Sequence, residues 1–139
     1  MTMANLAISY RRLGRNQEGL ELEEEVLEIR RRILGPEDPY TLRTMSNLAK
    51  SYYAVGREQE ALELNQQAMD MQKRVLGDEH PDTLFSIGTQ LFILHDLGMT
   101  EQLRDLLPAA LRAHDKVLGA EHPWTVELRN KFQMELESL

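Results

Sequence analysis

Four histidines, a run of glutamates and three adjoining arginines are the residues of this chain whose types could do chemistry. His80 and His122 stand 42 positions apart, each followed by proline, and Asp38 holds the matching place one step earlier. A residue that recurs at a fixed long spacing is explained by linker chemistry before metal ligation. His95 and His114 have no carboxylate or histidine three or four positions away. Their neighbours Asp96 and Asp115 do not share a helix face with them. A zinc site without cysteine needs three converging histidine or carboxylate ligands, and the chain has no cysteine. That also removes disulfides and thiolate catalysis. Glu21, Glu23, Glu24, Glu25 and Glu28 lack the alternating oxygen ligands and the glycine of a calcium loop. They are expected on the solvated outer face of a helix, answered by Arg30, Arg31 and Arg32. Acids early and bases late suit the helix dipole. No glycine-rich phosphate loop, nucleophile elbow or triad order is present. The expectation is a protein that is not an enzyme and needs neither cofactor nor metal.

The elements that carry these residues repeat. Gly14, Gly56 and Gly98 are 42 apart, as are Gly35, Gly77 and Gly119, Pro39, Pro81 and Pro123, and Thr41, Thr83 and Thr125. Residues 3–44 laid on 45–86 give 20 identities in 42 positions, far above the two or three that chance supplies. The third copy decays: Gln90-Leu91 replace the Leu48-Ala49 pair and Leu94 replaces Tyr52, while Gly98 and Gly119 remain. The unit occurs about three and a half times.

Each unit holds two stretches of helical period and no strand-like alternation. Leu42, Met45, Leu48, Ala49 and Tyr52 form one stripe. Gly56 marks a tight turn. Ala61, Leu64, Ala68, Met71 and Val75 form the next stripe, with Leu62, Met69 and Leu76 alongside. Gly77 closes that helix, and proline is tolerated in the first turn of the one after. Asp38 is placed as an N-cap. A lone hairpin cannot bury both of its apolar faces, so copies must stack. The expected fold is all-α: a right-handed α-solenoid of antiparallel helix hairpins in a single domain, 1–139. Its repeats run over about 1–38, 39–80 and 81–122, with a capping helix at 123–139. Seven helices are expected, near 3–13, 17–34, 39–55, 59–76, 81–97, 101–118 and 123–137.

Sixteen basic against 23 acidic residues give a formal charge of −7, which argues against a nucleic-acid partner held by phosphate neutralisation. No apolar run reaches the roughly 18–20 residues of a membrane span, and no signal-peptide pattern opens the chain. A cytoplasmic protein with no membrane contact is expected.

Asn-Leu-Ala…Tyr…Gly-Arg…Glu-Ala-Leu, followed by Arg-Val-Leu-Gly-x-Glu-His-Pro-x-Thr-Leu, resembles the 42-residue tetratricopeptide repeat of kinesin light chains. The same variety occurs in the C-terminal regions of many NB-ARC and NACHT proteins, notably fungal ones. The resemblance covers essentially the whole chain, strongest over 3–87. It implies a scaffold that binds a peptide or protein in a concave groove lined by the first helix of each hairpin, as part of a larger adaptor or sensor. Carried onto this chain, the groove takes Asn5, Ile8 and Arg12 from the first copy, Arg43, Asn47, Lys50 and Tyr53 from the second, and Phe85 and Phe92 from the third. Ser46 and Gly88 belong to the wider set. Arg43, Lys50 and Tyr53 lie off the Leu42–Leu48–Tyr52 stripe and share a second face. An acidic partner with an aromatic or aliphatic anchor would complement a groove basic at one end and aromatic at the other. The alternative is a structural oligomerisation module with no separate ligand.

Three features break the pattern. Pro108 falls inside a second helix and predicts a kink or two short helices. Leu128, Phe132, Leu136 and Leu139 form one stripe of the last segment, the profile of a solvating cap. Met3, Leu6, Ile8 and Tyr10 have no preceding helix to cover them, which predicts a homodimer through residues 1–13, or an upstream segment in a longer protein.

Overall fold

The computed structural model describes residues 16–139, which hold seven α-helices and no strand: α1 (Asn16–Leu34), α2 (Pro39–Ala54), α3 (Glu58–Val75), α4 (Pro81–Asp96), α5 (Thr100–Val117), α6 (Pro123–Lys131) and α7 (Gln133–Glu137). The expected helix at 3–13, the groove positions Asn5, Ile8 and Arg12, and the dimer face of Met3, Leu6, Ile8 and Tyr10 lie outside the described residues. The chain divides into two compact units, with the break between Met71 and Gln72. In the first, α1 packs on α2; in the second, α5 packs on α4, α6 and α7.

The punctuation is local chemistry repeated. Asp38 accepts a hydrogen bond from the Tyr40 N–H at 2.8 Å. His80 Nδ1 does the same for Asp82 at 3.0 Å, and His122 Nδ1 for Trp124 at 3.1 Å. All three precede a proline at the first helical position, where the missing N–H costs nothing. The two linker histidines are therefore helix caps. Gly77 and Gly119 close their helices at φ +94° and +95°, a region that side-chain-bearing residues rarely enter.

The recurrent threonine has a matching explanation. Thr41, Thr83 and Thr125 are all fully buried. Thr41 Oγ1 donates to the Arg30 carbonyl at 3.3 Å, and Thr125 Oγ1 to the His114 carbonyl at 3.4 Å. These two hydroxyls thus tie the start of one helix to a carbonyl near the end of the preceding one, His114 O accepting from the Leu118 and Gly119 N–H groups as well, whereas the buried Thr83 hydroxyl has no hydrogen-bond partner among the described residues.

The second helices bury one stripe in a common register. α1 buries Gly19, Leu20, Glu23, Val26 and Leu27; α3 buries Ala61, Asn65, Ala68, Met69 and Gln72; α5 buries Leu103, Leu107, Ala110, Leu111 and His114. In α3 this face is rotated from the apolar stripe read in the sequence. Leu64 and Met71 are only half-buried and Val75 is 41% exposed, while Asn65 and Gln72 occupy the core. Gln72 meets a polar partner there. Ser86 Oγ donates to Gln72 Oε1. One period earlier the Arg30 guanidinium donates to Thr44 Oγ1 at 2.6 Å. One period later the matching residues are His114 and Leu128, which both approach Gly88, and His114 Nδ1 donates instead to the Ala110 carbonyl at 2.7 Å.

The glutamate–arginine face also departs from expectation. Glu21, Glu24, Glu25 and Glu28 are exposed, but Glu23 is only 8% exposed and accepts a hydrogen bond from Ser51 Oγ at 2.7 Å. Glu23 and Arg30 are seven apart, so both fall on the face that α2 covers. α5 runs unbroken through Pro108. Proline removes only the bond to the Arg104 carbonyl, and Arg104 is exposed, so water can take that acceptor. The last segment is the one that divides. Phe132, completely buried, adopts φ −110° between α6 and α7. Leu128 is buried with it, whereas Leu136 is half-buried and Leu139 exposed.

Candidate binding surfaces

α2 carries the basic face. Its buried side is Leu42, Met45, Leu48, Ala49 and Tyr52, as the spacing requires. Arg43, Asn47 and Lys50 are exposed on the other side and Tyr53 is half-buried beside them. They follow one another at i, i+4, i+7 and i+10, so one ligand segment lying along the helix could meet all four. The Arg43 guanidinium carbon lies 5.7 Å from the centre of the Tyr40 ring. Ser46 turns inward and is buried.

In the second unit Phe85 and Phe92 are half-buried on one side of α4. Phe85 pairs with Trp124, and Phe92 with the buried Phe132, each at 5.5 Å between ring centres. Lys131 Nζ stands 5.8 Å over the Phe92 ring. Both phenylalanines thus fasten α4 to the last segment. Gly88, from the same expected set, is buried against His114 and Leu128. His95 lies between Asp96 (3.3 Å) and Glu135 (3.8 Å). Among the described residues no three histidine or acidic side chains form a group that could hold a metal.

A feature the sequence reading did not single out lies in the first unit. A cleft of about 350 Å³ runs between α1 and α3. Leu27, Leu48, Leu64 and Tyr52 give it an apolar lining; Glu24, Glu28, Arg31, Glu60, Glu63 and Gln67 surround them. Burial holds the Tyr52 hydroxyl above its ordinary pKa, and the charge of Glu24, to which it hydrogen-bonds, pushes the same way. The phenol stays neutral and donates. The Arg57 guanidinium lies 4.5 Å over the Tyr52 ring. It grips Glu60 through two bonds, one from Nε at 2.7 Å. That bidentate contact raises the arginine pKa and lowers that of the Glu60 carboxyl. The sequence did hold a signal for this trio. Tyr10, Arg15 and Glu18 repeat it one period earlier, and the third copy replaces all three members, as Leu94, Met99 and Gln102.

Helix hairpins on a 42-residue template, capped and closed at matching positions, define an all-α repeat scaffold. The family model described as tetratricopeptide repeat matches residues 1–74, and the chain belongs to that family. It is similar to the solved structure of a putative kinesin light chain with nearly identical tetratricopeptide-like repeats from Podosopora anserina, with 31% identity and a TM-score of 0.86 over 96% of this chain. The Q17M form of that protein matches at the same identity with a TM-score of 0.88. This chain spans 63% of the length of each. BtubC (BKLC) from P. vanneervenii shares the fold at 21% identity and a TM-score of 0.82, with 98% of this chain and 54% of that one covered. No curated protein matches. The fold class is thus the all-α tetratricopeptide solenoid of the kinesin-light-chain-like kind, a family of protein-interaction modules. Among the described residues no helix is long and apolar enough to cross a membrane.

Proposed function

We propose that this chain is a non-catalytic, cytoplasmic interaction scaffold that binds an acidic peptide or protein segment along the exposed face of α2. The observation that carries the reading is the row Arg43, Asn47, Lys50 and Tyr53, presented to solvent while the opposite side of the helix is buried. Two cations seven residues apart, with an amide donor between them and a phenol one turn on, suit a partner with two carboxylates flanking an aromatic or aliphatic side chain. In a longer polypeptide the same face would serve an adaptor or sensor, as the kinship with kinesin-light-chain-like repeats suggests.

The test is a selection of displayed random peptides on the wild-type protein, followed by titration of an enriched peptide. Combined Arg43→Glu and Lys50→Glu substitutions should abolish its binding. Both residues are exposed, so helicity and melting temperature should hardly change. Unaltered affinity in that double variant removes the basic-face reading.

A further inference from the structure

We propose that the cleft between α1 and α3 is a second docking site, which takes a basic segment of another polypeptide whose cationic side chains alternate with aliphatic ones. It uses a different face and the opposite charge from the α2 surface, so it stands apart from the function proposed above. Three observations carry it. The cleft, at about 350 Å³, falls within the roughly 300–1,000 Å³ typical of ligand-sized sites. Leu27, Leu48 and Leu64 offer apolar contact to a side-chain stem. Exposed Glu24, Glu28 and Glu63 offer carboxylates to its charged tip, and Arg31 also lines the cleft.

Beside these stands the chain's own arginine. Arg57 lays its guanidinium over the Tyr52 ring and fastens it to Glu60. One cation is therefore already recognised at this cleft by an aromatic face and a carboxylate, a pairing that suits guanidinium better than ammonium. Glu24, Glu28 and Glu63 extend the same chemistry beyond the place that Arg57 fills. Lys or Arg stems cover apolar surface while their heads stay wet, which matches a leucine floor beneath an acidic rim. The site is peculiar to this hairpin among the described ones, because Leu94, Met99 and Gln102 replace the tyrosine, arginine and glutamate in the next.

The experiment is an NMR titration of the full chain with an acetylated, amidated hexapeptide of alternating arginine and leucine. Shifts should concentrate at Leu27, Leu48, Tyr52 and Leu64, and replacement of the peptide leucines by serine should weaken binding at least fivefold. Combined Glu24→Gln, Glu28→Gln and Glu63→Gln should weaken it at least tenfold. Glu37→Gln, Glu101→Gln and Glu127→Gln change net charge equally from exposed positions elsewhere and should leave affinity within twofold. Equal losses in the two triple variants, or shifts spread over the acidic surface, reduce the effect to net-charge attraction and overturn the proposal. So does stronger binding of an alternating glutamate–leucine peptide at these residues. Arg43→Glu with Lys50→Glu should leave this binding intact, so the failure of either site reads out separately.

Discussion

Gly88 is the position where a single methyl group tests the packing most directly. It lies within α4 and is buried, yet a Cβ built there would sit 3.9 Å from Leu128 Cδ2 and 4.0 Å from His114 Nε2. Those are ordinary van der Waals separations, so alanine enters without displacing anything. Glycine inside a helix costs roughly 0.8–1.0 kcal/mol relative to alanine. The buried methyl adds at most about 0.8 kcal/mol. Ser46, buried at the matching place in α2, shows that the register accepts a side chain. Gly88→Ala should therefore stabilise the protein by about 1 kcal/mol, a rise in Tm of about 3–5 °C for a chain of this size. Thermal and urea unfolding followed by circular dichroism measure it. Gly88→Leu should destabilise, since overpacking costs about 1–3 kcal/mol. A lower melting temperature for the alanine variant would refute the placement of Leu128 and His114 around this helix.

Pro108→Ala restores one hydrogen bond to the Arg104 carbonyl. It should stabilise by about 1–2 kcal/mol in urea unfolding, after subtraction of proline's stiffening of the unfolded chain. Asp38→Ala removes the cap on the Tyr40 N–H and should cost about 0.5–2 kcal/mol by the same assay. Burial is the main cause that lowers the His114 pKa, and the charge of His122 adds to it. The unfolded chain therefore takes up a proton near pH 6.5 that the folded chain refuses. Stability should be full above that pH and fall as pH drops below it. Unfolding midpoints between pH 7.5 and 5.5 should show this slope, and it should diminish in His114→Gln, which installs the residue found at the matching position 72.

The helix order, the caps and the exposed polar face of α2 were legible because each depends on spacing. Proline, glycine and threonine recur at 42, and Arg43, Asn47 and Lys50 fall off the apolar stripe by helical geometry alone. The rotated face of α3 was not legible. Hydropathy favours Leu64, Met71 and Val75 over Asn65 and Gln72, and only a partner such as Ser86 makes the polar choice favourable. Glu23 and Arg30 were misplaced for the same reason, since a sequence shows their charge and not the hydroxyls opposite. Pro108 does not divide α5 in two, because its cost lowers stability without ending a helix that packing on α4 holds together. The Tyr52–Arg57–Glu60 trio was visible as a pattern, but the cleft beside it depends on the placement of α1 against α3, which are not sequence neighbours.

The changing partners of positions 30, 72 and 114 bear on how related hairpins find their proper neighbours. Two of the copies share almost half their residues, so each could offer its neighbours a deceptively familiar surface while the chain collapses. A guanidinium that meets a threonine, a glutamine that meets a serine and an imidazole that bonds back to its own helix are not interchangeable. Arg30 set against Leu128 would lose the acceptor it has in Thr44, and Gln72 set there would lose its bond from Ser86. Each junction thus carries its own address, and shuffled assembly is penalised at the seam where duplication would otherwise invite it.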